Sequence, residues 1–319
     1  MKIIKICLYL SLLIISSVSA KQLSFSKKLQ NDHYTFNYKW LVHSSQQQSI
    51  SFSLSKPSLF ERFRVLRPYK NEFAHNTIMR RVKKELEKTP LVGAKAVFNP
   101  QQGKMTLKIT SLKRKNLSPA YQKVKEIEQK TTAQYFKENY YQLFTTHDDD
   151  VGIKVDHVRI ANDSVADFKA LKPIILDKVS MKNIRKITNY VLSFVQSIPY
   201  STLESRISSS GAGFNPPAKL LWENQGDCDS KMALTATILR ALMPRINMAM
   251  IYIDQHAFIG IAIPANAGEM MIEHQGVNYL LGEPTGPALY KLGEIAPESE
   301  LAINQGRYVA EVFNASSGS

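Results

Sequence analysis

Cysteine is scarce in this chain: its 319 residues include only Cys7 and Cys228. Cys7 lies near the start, in a stretch with the features of a secretion signal, so we expect the exported product to keep Cys228 alone. A single cysteine cannot form an intramolecular disulfide, although exported proteins usually pair their cysteines. A disulfide-stabilised fold is thereby excluded, and Cys228 is expected to be a buried thiol, an intermolecular link or a nucleophile.

Apolar runs long enough to cross a membrane are also lacking. The run over residues 8–15 follows Lys2 and Lys5 and is well short of the roughly 18 to 20 residues that span a bilayer. It leads to Val18-Ser-Ala20, a small-residue cleavage site, which predicts a signal peptide over residues 1–20. We therefore expect a periplasmic or secreted product and no integral membrane segment.

Acidic residues are few in the first half of the mature chain. Residues 21–150 hold 24 Lys and Arg against 11 Asp and Glu, a net charge of +13, whereas residues 151–319 hold 15 against 16. An exported protein has little occasion to meet nucleic acid, so nucleic acid is not an expected partner. The charge instead predicts that the N-terminal region binds an anionic surface or an acidic protein.

The chain has no internal repeat or low-complexity tract, and a composition with 44% hydrophobic residues is typical of globular proteins. We expect two domains after the signal peptide: a basic, strand-rich N-terminal domain over residues 21–165 and a second domain over residues 166–319. Alternation predicts strands over 34–40 and 50–54, and further strands are expected over 105–109 and 151–160, the last of which fits either domain. Helix-forming composition and start signals predict helices over 76–88 and 118–143.

The second domain has a sharper pattern. Apolar residues at helical spacing predict a core-facing helix over 184–198, and residues 227–242 are so apolar that their helix must be largely buried. Four strand-like runs follow, over 248–253, 257–263, 270–273 and 277–281. A buried helix followed by an antiparallel meander indicates the α+β fold class.

Cys228 is placed at the first turn of the buried helix, where unpaired backbone N–H groups and the helix dipole favour a thiolate. His256 begins one of the following strands and Glu283 directly follows another. The three side chains can therefore meet as nucleophile, base and orienting acid, and we expect the thiol pKa to be lowered. An inert packed thiol remains an alternative, and His274, at the end of a neighbouring strand, competes with His256 as the base.

Four segments carry a resemblance to a known family. The segment Gln225-Gly-Asp-Cys-Asp-Ser-Lys231 resembles the G-D-C segment of the transglutaminase-like superfamily, in which the cysteine heads the central helix. Gln255-His-Ala-Phe-Ile259 resembles its histidine strand, and Tyr279-Leu-Leu-Gly-Glu-Pro-Thr285 resembles its aspartate strand, usually written Asp-Pro-Thr. Phe194-Val-Gln-Ser-Ile-Pro-Tyr200 resembles the helix before the catalytic one. The likeness covers residues 183–287 and none of the basic region.

The resemblance implies a papain/transglutaminase-like core, a catalytic helix packed on an antiparallel sheet, with a triad of Cys228, His256 and Glu283. Glu283 departs from the superfamily's usual aspartate by one methylene. The implied activity is that of an exported thiol enzyme that cleaves protein or peptide amides through an acyl-enzyme, a cysteine protease or amidase. A transglutaminase with an amine acceptor and a non-catalytic binding module on the same scaffold remain alternatives.

No cofactor is expected, although calcium is conceivable. Some exported members of the superfamily are calcium-dependent proteases that clip surface adhesins. Here His147 is followed by Asp148, Asp149 and Asp150, and clustered carboxylates can bind Ca²⁺. Because the run lacks the ligand spacing of a dedicated calcium loop, we expect a solvated turn.

Overall fold

The computed structural model describes residues 20–42, 46–179, 183–205 and 213–314. The expected signal peptide, residues 1–20, lies outside these residues apart from Ala20. The described chain combines helices with antiparallel sheets, which confirms the α+β class. No helix within the described ranges is both long and apolar enough to cross a bilayer.

The elements alternate along the chain. The strands are β1 Lys21–Gln30, β2 His33–Leu41, β3 Gln47–Ser55, β4 Lys95–Gln101, β5 Lys104–Thr110, β6 Tyr141–Thr145, β7 Val151–Val155, β8 Met248–Ile253, β9 His256–Ile261, β10 Met271–His274, β11 Val277–Gly282 and β12 Val309–Phe313. The helices are α1 Lys56–Phe60, α2 Asn71–Lys88, α3 Leu117–Asn139, α4 His157–Phe168, α5 Leu171–Lys178, α6 Ile184–Ser197, α7 Pro217–Glu223, α8 Cys228–Leu242 and α9 Pro297–Asn304.

The N-terminal sheet has the order β1-β2-β3 and is antiparallel throughout. Alternate residues of β2 and β3 are buried, as the period-two pattern of residues 34–40 and 50–54 predicts. Strand β1 was not predicted, because most of its residues are exposed and its pattern lacks a buried face.

Helix α6 covers the buried face of this sheet. The ring of Phe194 lies 5.0 Å from that of Tyr38 and 5.3 Å from that of Trp40, and Trp40 donates its indole N–H to Ser193 Oγ at 3.2 Å. One apolar core therefore joins β2 and β3 to α6, α8, β8 and β9. The expected division between residues 165 and 166 falls inside α4, and this core extends across it.

A second core belongs to the basic region. Helices α2 and α3 pack together and against the β4–β5 hairpin, burying residues such as Val82 and Val124 in a cluster separate from the main core. We call these elements, residues 71–139, the basic unit. Its helix α2 and strand β5 include the predicted helix over 76–88 and the predicted strand over 105–109.

Two predictions near the end of the basic unit are wrong. Helix α3 ends at Asn139 because Tyr140 adopts a left-handed backbone conformation (φ 59°), and the following residues form β6 instead of continuing the helix to 143. The predicted strand over 151–160 stops at Val155, where Asp156 caps α4 by accepting a hydrogen bond from the Arg159 N–H.

The sheet that carries the candidate site has the strand order β10-β11-β9-β8-β12. Every neighbouring pair in it is antiparallel. It contains the four strands predicted after the buried helix, and the C-terminal β12 extends it beyond β8. Helix α8 packs on β8 and β9, and every residue of α8 except Asp229 is buried, as its apolar sequence predicts. Cys228 is consequently held at the edge of a rigid core.

Candidate active site

The turn before α8 fixes the position of Cys228. Asp227 caps the helix by accepting a hydrogen bond from the Ser230 N–H at 3.0 Å. Gly226 bridges to Tyr200, and a Cβ on Gly226 would meet Leu220 Cδ1 at 2.6 Å, so a side chain there would displace the buried Leu220. The Gly-Asp-Cys sequence thus has a local reason: glycine for a close approach, aspartate for the cap, cysteine for the first turn.

The Cys228 thiol faces the start of β9. Its Sγ lies 3.9 Å from the Gln255 carbonyl oxygen and 4.0 Å from Asp229 Oδ1. Neither contact involves the His256 imidazole, and among the described residues no hydrogen bond joins Sγ to that ring. Catalytic hydrogen bonds are often long or absent before substrate binds, so the lack of one between Sγ and the imidazole is compatible with a nucleophile and its base.

His256 and Glu283 are in direct contact. His256 Nε2 lies 2.5 Å from Glu283 Oε1, and the glutamate side chain is almost fully buried. Burial lowers the pKa of His256, but the hydrogen bond to Glu283 and the charge of that residue outweigh it, so the net pKa is raised above 6.5. Within the described residues Nδ1 has no hydrogen-bond partner, which leaves it available to exchange a proton.

His274 is excluded as the partner of Glu283 by the sheet register. It pairs with Val277 at the first residue of β11, whereas Glu283 follows the last residue of that strand, Gly282. A strand rises about 3.4 Å per residue, so the two ends are roughly 17 Å apart. The structure brings His256, and not His274, to the carboxylate.

The expected lowering of the Cys228 pKa is wrong. Burial raises the pKa of the thiol to about 12, and the carboxylates of Asp229 and Asp227 add to the effect. The backbone N–H of Asp229, at the helix terminus, and that of Ala257, in β9, favour the thiolate, but they are outweighed. The resting thiol is therefore protonated at neutral pH.

Asp229 connects the thiol to a polar cluster that sequence reasoning missed. Its Oδ2 lies 3.8 Å from His157 Nε2, and His157 Nδ1 lies 3.1 Å from the Tyr252 hydroxyl. Lys154 lies 3.6 Å above the Tyr252 ring and pairs with Glu311 at 2.8 Å. These residues come from β7, α4, α8, β8 and β12, so no local pattern in the sequence could have signalled the cluster.

Gln196 holds the backbone of Glu283, and Lys231 interacts with this glutamate only through its charge. Gln196, in α6, donates its side-chain N–H groups to the backbone carbonyls of Glu283 at 2.6 Å and Tyr290 at 2.9 Å. Lys231, one turn after Cys228, is fully buried and donates to the Ile198 carbonyl at 2.5 Å. Burial lowers the pKa of Lys231 to about 7, although the charge of Glu283 works against this shift.

Lys231 does not pair with Asp227, although the two are spaced four residues apart on α8. Helical spacing alone predicts an ion pair of this kind. Asp227 instead caps the helix, and no ion pair within 4.0 Å joins it to Lys231 in the described structure.

The acidic run after His147 forms the turn between β6 and β7. His147 contacts Asp148 at 3.1 Å on one ring nitrogen and Asp254 at 3.1 Å on the other. Across the ranges that the structure describes, no group of three or more His, Cys, Asp or Glu side chains has a metal-binding arrangement.

Comparisons with protein-family models, curated proteins and solved structures find no match to this chain.

Proposed function

We propose that the protein is a thiol enzyme that acts on protein or peptide amides through an acyl-enzyme, with Cys228 as nucleophile, His256 as base and Glu283 as orienting acid. The observation that carries the proposal is the 2.5 Å contact between His256 Nε2 and Glu283 Oε1 on the sheet facing the Cys228 helix terminus. The resemblance of these segments to the transglutaminase-like superfamily supports a papain/transglutaminase-like core for the same residues.

The chemistry follows from the protonation states. The thiol is neutral at rest, so the proposed His256 base takes its proton as Sγ attacks the substrate carbonyl carbon. The proton then passes from His256 to the leaving amine as the C–N bond breaks, which leaves a thioester. Water then attacks the thioester carbonyl carbon while His256 takes its proton. The C–S bond breaks, the proton returns from His256 to Sγ, and the carboxylic acid product is released. Because His256 must be neutral to accept the proton, the reaction requires a pH above its raised pKa.

The first amides of α8 provide a place for the oxyanion. Cys228 and Asp229 are the first two residues of the helix, and helix N-termini present N–H groups that no carbonyl of the same helix accepts. Such donors stabilise the tetrahedral intermediate of acyl transfer. The Ser230 N–H is already used by the Asp227 cap and is not available.

Asp229 is the feature that favours an amine as acceptor. It is the only residue of α8 that is not buried, and its carboxylate lies 4.0 Å from Sγ. A carboxylate there would attract the ammonium group of a lysine side chain and bring it to the thioester. Transglutaminase activity is therefore the second candidate, with the same acyl-enzyme and a different second substrate.

The burial of the thiol favours the third candidate, a non-catalytic binding module. Cys228 is only 9% exposed and its pKa is about 12, which is typical of a packed cysteine. That candidate, however, gives no function to the hydrogen-bonded pair of His256, half-buried, and Glu283, buried.

Acylation by an activated ester tests the proposal without knowledge of the substrate. p-Nitrophenyl acetate should release one equivalent of p-nitrophenol in a burst, and mass spectrometry should find one acetyl group on Cys228. Cys228→Ala should abolish both signals while its circular dichroism is unchanged. Adding a primary amine then separates the two enzymatic candidates, since acetate indicates a hydrolase and the acetamide indicates a transglutaminase. No acetylation of the folded protein would favour the binding module.

A further inference from the structure

Two segments of the basic unit lie next to each other beside the β4–β5 hairpin. Residues 91–94 lead into β4, which begins at Lys95, and residues 111–116 follow β5, which ends at Thr110. Lys95 and Thr110 pair with each other at the open end of the β4–β5 hairpin. The loops, residues 91–94 and 111–116, run side by side, because Ser111 Oγ donates to the Gly93 carbonyl at 2.5 Å. We call residues 91–95 and 111–116 the hairpin tip.

The hairpin tip has a defined shape. Asn116 Nδ2 also donates to the Gly93 carbonyl, at 3.1 Å. Gly93 has a φ of +68°, and a Cβ there would meet Asn116 Nδ2 at 2.2 Å, so glycine is required on both counts. The loops are thus held in one arrangement by hydrogen bonds, and Leu91 and Ala94 also pack against the second core.

Two large apolar side chains stand on the hairpin tip without cover. Val92 is 93% exposed and Leu112 is 106% exposed, whereas the other exposed large hydrophobic residues of the described chain range from 37% to 69%. Isolated apolar side chains at intermediate exposure are common on protein surfaces. Two fully exposed ones on adjacent loops are an adverse arrangement in water, and it is relieved when the tip enters an apolar phase.

The side chains around this apolar pair are cationic. Residues 89–125 contain eight Lys and Arg and no Asp or Glu. Four of the eight, Lys95, Lys113, Arg114 and Lys115, belong to the hairpin tip and are exposed. None of these four makes an ion pair with a described residue. The outer face of the hairpin continues the positive surface with Lys104 and Lys108.

We propose that the hairpin tip docks onto an anionic lipid bilayer. Val92 and Leu112 enter the boundary between headgroups and acyl chains, and the surrounding lysine and arginine side chains contact the lipid phosphates. The apolar pair decides between a bilayer and an acidic polymer, because a hydrated polyanion offers nothing apolar to accept it. This docking is independent of the chemistry at Cys228.

The proposal gives quantitative expectations for binding. Each cation near an anionic surface strengthens binding roughly fivefold, so three contribute on the order of 100-fold. Burial of either apolar side chain strengthens binding about tenfold or more. The contribution of the lysine and arginine side chains to binding decreases as salt screens the surface charge, whereas the contribution of Val92 and Leu112 does not.

Vesicle binding by the chain without the expected signal peptide, residues 21–319, tests the proposal. The vesicles are phosphatidylcholine alone or mixed with phosphatidylglycerol, and binding is measured by co-sedimentation. The wild type should bind only the mixed vesicles. The double variant Val92→Ser, Leu112→Ser should lose most of that binding, while the matched double Val151→Ser, Leu301→Ser, at other exposed apolar positions, should keep it.

A second pair of variants separates local from overall charge. The triple variant Lys113→Gln, Arg114→Gln, Lys115→Gln should weaken vesicle binding on the order of 100-fold. The control triple Lys39→Gln, Lys169→Gln, Lys178→Gln removes the same charge from other exposed sites and should change it little. Equal losses in the two triples would mean that overall charge, and not the hairpin tip, causes binding, which overturns the proposal.

Insertion has its own spectroscopic signature. Leu112→Trp should gain a blue-shifted emission that brominated lipid quenches, above the background of the wild type, whose two tryptophans are Trp40, fully buried, and Trp222, partly buried. Dextran sulfate serves as a soluble polyanion without an apolar phase. If it binds as tightly as the mixed vesicles and the serine double variant binds both like the wild type, the surface recognises acidic polymers and the bilayer proposal is wrong.

Discussion

His256 Nε2 and Glu283 Oε1 lie 2.5 Å apart, although His256 begins β9 and Glu283, 27 positions later, follows the end of β11. The last registered pair between β11 and β9 is Gly282 with Ile259, so Glu283 lies one residue further along, beside Phe258. His256 is the next residue on the same face of β9, in a diagonal position. Diagonal neighbours on paired strands are about 7 to 8 Å apart, a separation that favours the longer glutamate over aspartate.

This geometry predicts that aspartate does not replace Glu283 well. Glu283→Asp should break the contact with Nε2, and Glu283→Gln should keep a hydrogen bond but lose the charge. Both should lower the pKa of His256, because Glu283 is what raises it. The pKa is read by NMR titration of the imidazole. Glu273→Gln, an exposed change on β10, is the control, and an unchanged pKa of His256 in Glu283→Gln would contradict the prediction.

The carboxylates that flank the nucleophile should be inhibitory. Asp229 and Asp227 raise the pKa of Cys228, so replacing either with asparagine should lower it and increase the thiolate fraction at any pH below about 12. One unit of pKa corresponds to roughly tenfold more thiolate. Asparagine also caps helices well, so Asp227→Asn should not destabilise α8.

The measurement is the rate of iodoacetamide labelling of folded protein at mildly alkaline pH, followed by mass spectrometry. Both asparagine variants should react faster than the wild type. Asp32→Asn, which removes one charge from the exposed β1–β2 turn, should react at the wild-type rate. Slower labelling in Asp229→Asn would show that this carboxylate assists the thiol and would contradict the account.

Lys231 should make stability depend on pH in a defined direction. Its pKa is about 7 in the folded chain against 10.5 ordinarily, so between those values the unfolded chain binds the proton more tightly. Its contribution therefore improves as pH rises through this window, and the buried ammonium is destabilising below pH 7. Lys231→Met should raise the melting temperature more at about pH 6 than at about pH 10.

The gain near pH 6 should correspond to a few kcal/mol, since each unit of pKa shift is worth about 1.4 kcal/mol. At high pH the variant gains nothing from charge and loses the hydrogen bond to the Ile198 carbonyl. Lys169→Met, at an exposed position, should shift the melting temperature equally at both pH values. A gain for Lys231→Met that is the same at both values would mean that the ammonium is not destabilised by burial.

The sequence pattern correctly predicted the helix and the two strands that carry the candidate site. The buried α8 and the strands that begin at His256 and end before Glu283 were identified because their apolar periodicity is strong and their ends carry clear signals. Asp227 has the role that an aspartate directly before a helix commonly has, since it accepts the capping hydrogen bond from the Ser230 N–H.

The unpredicted parts depend on contacts between distant residues. Strand β12 completes the sheet beside β8, and Arg240 in α8 donates to its Phe313 carbonyl, a pair 73 positions apart. The main core likewise unites Trp40 with Phe194, which no sequence window contains. The thiol pKa was misjudged because the sequence shows both the helix terminus and the burial of α8 but not which of the two has the larger effect on Cys228.

The most direct test of the central claim is the pH dependence of Cys228 acetylation by p-nitrophenyl acetate, compared between the wild type and His256→Ala. The wild-type rate constant should rise with pH along a limb whose apparent pKa is above 6.5, since Glu283 raises the pKa of His256. The alanine variant should lack that limb and react more slowly by roughly 10² to 10⁴. Identical profiles for the two proteins would show that His256 does not act on the thiol and would contradict the account.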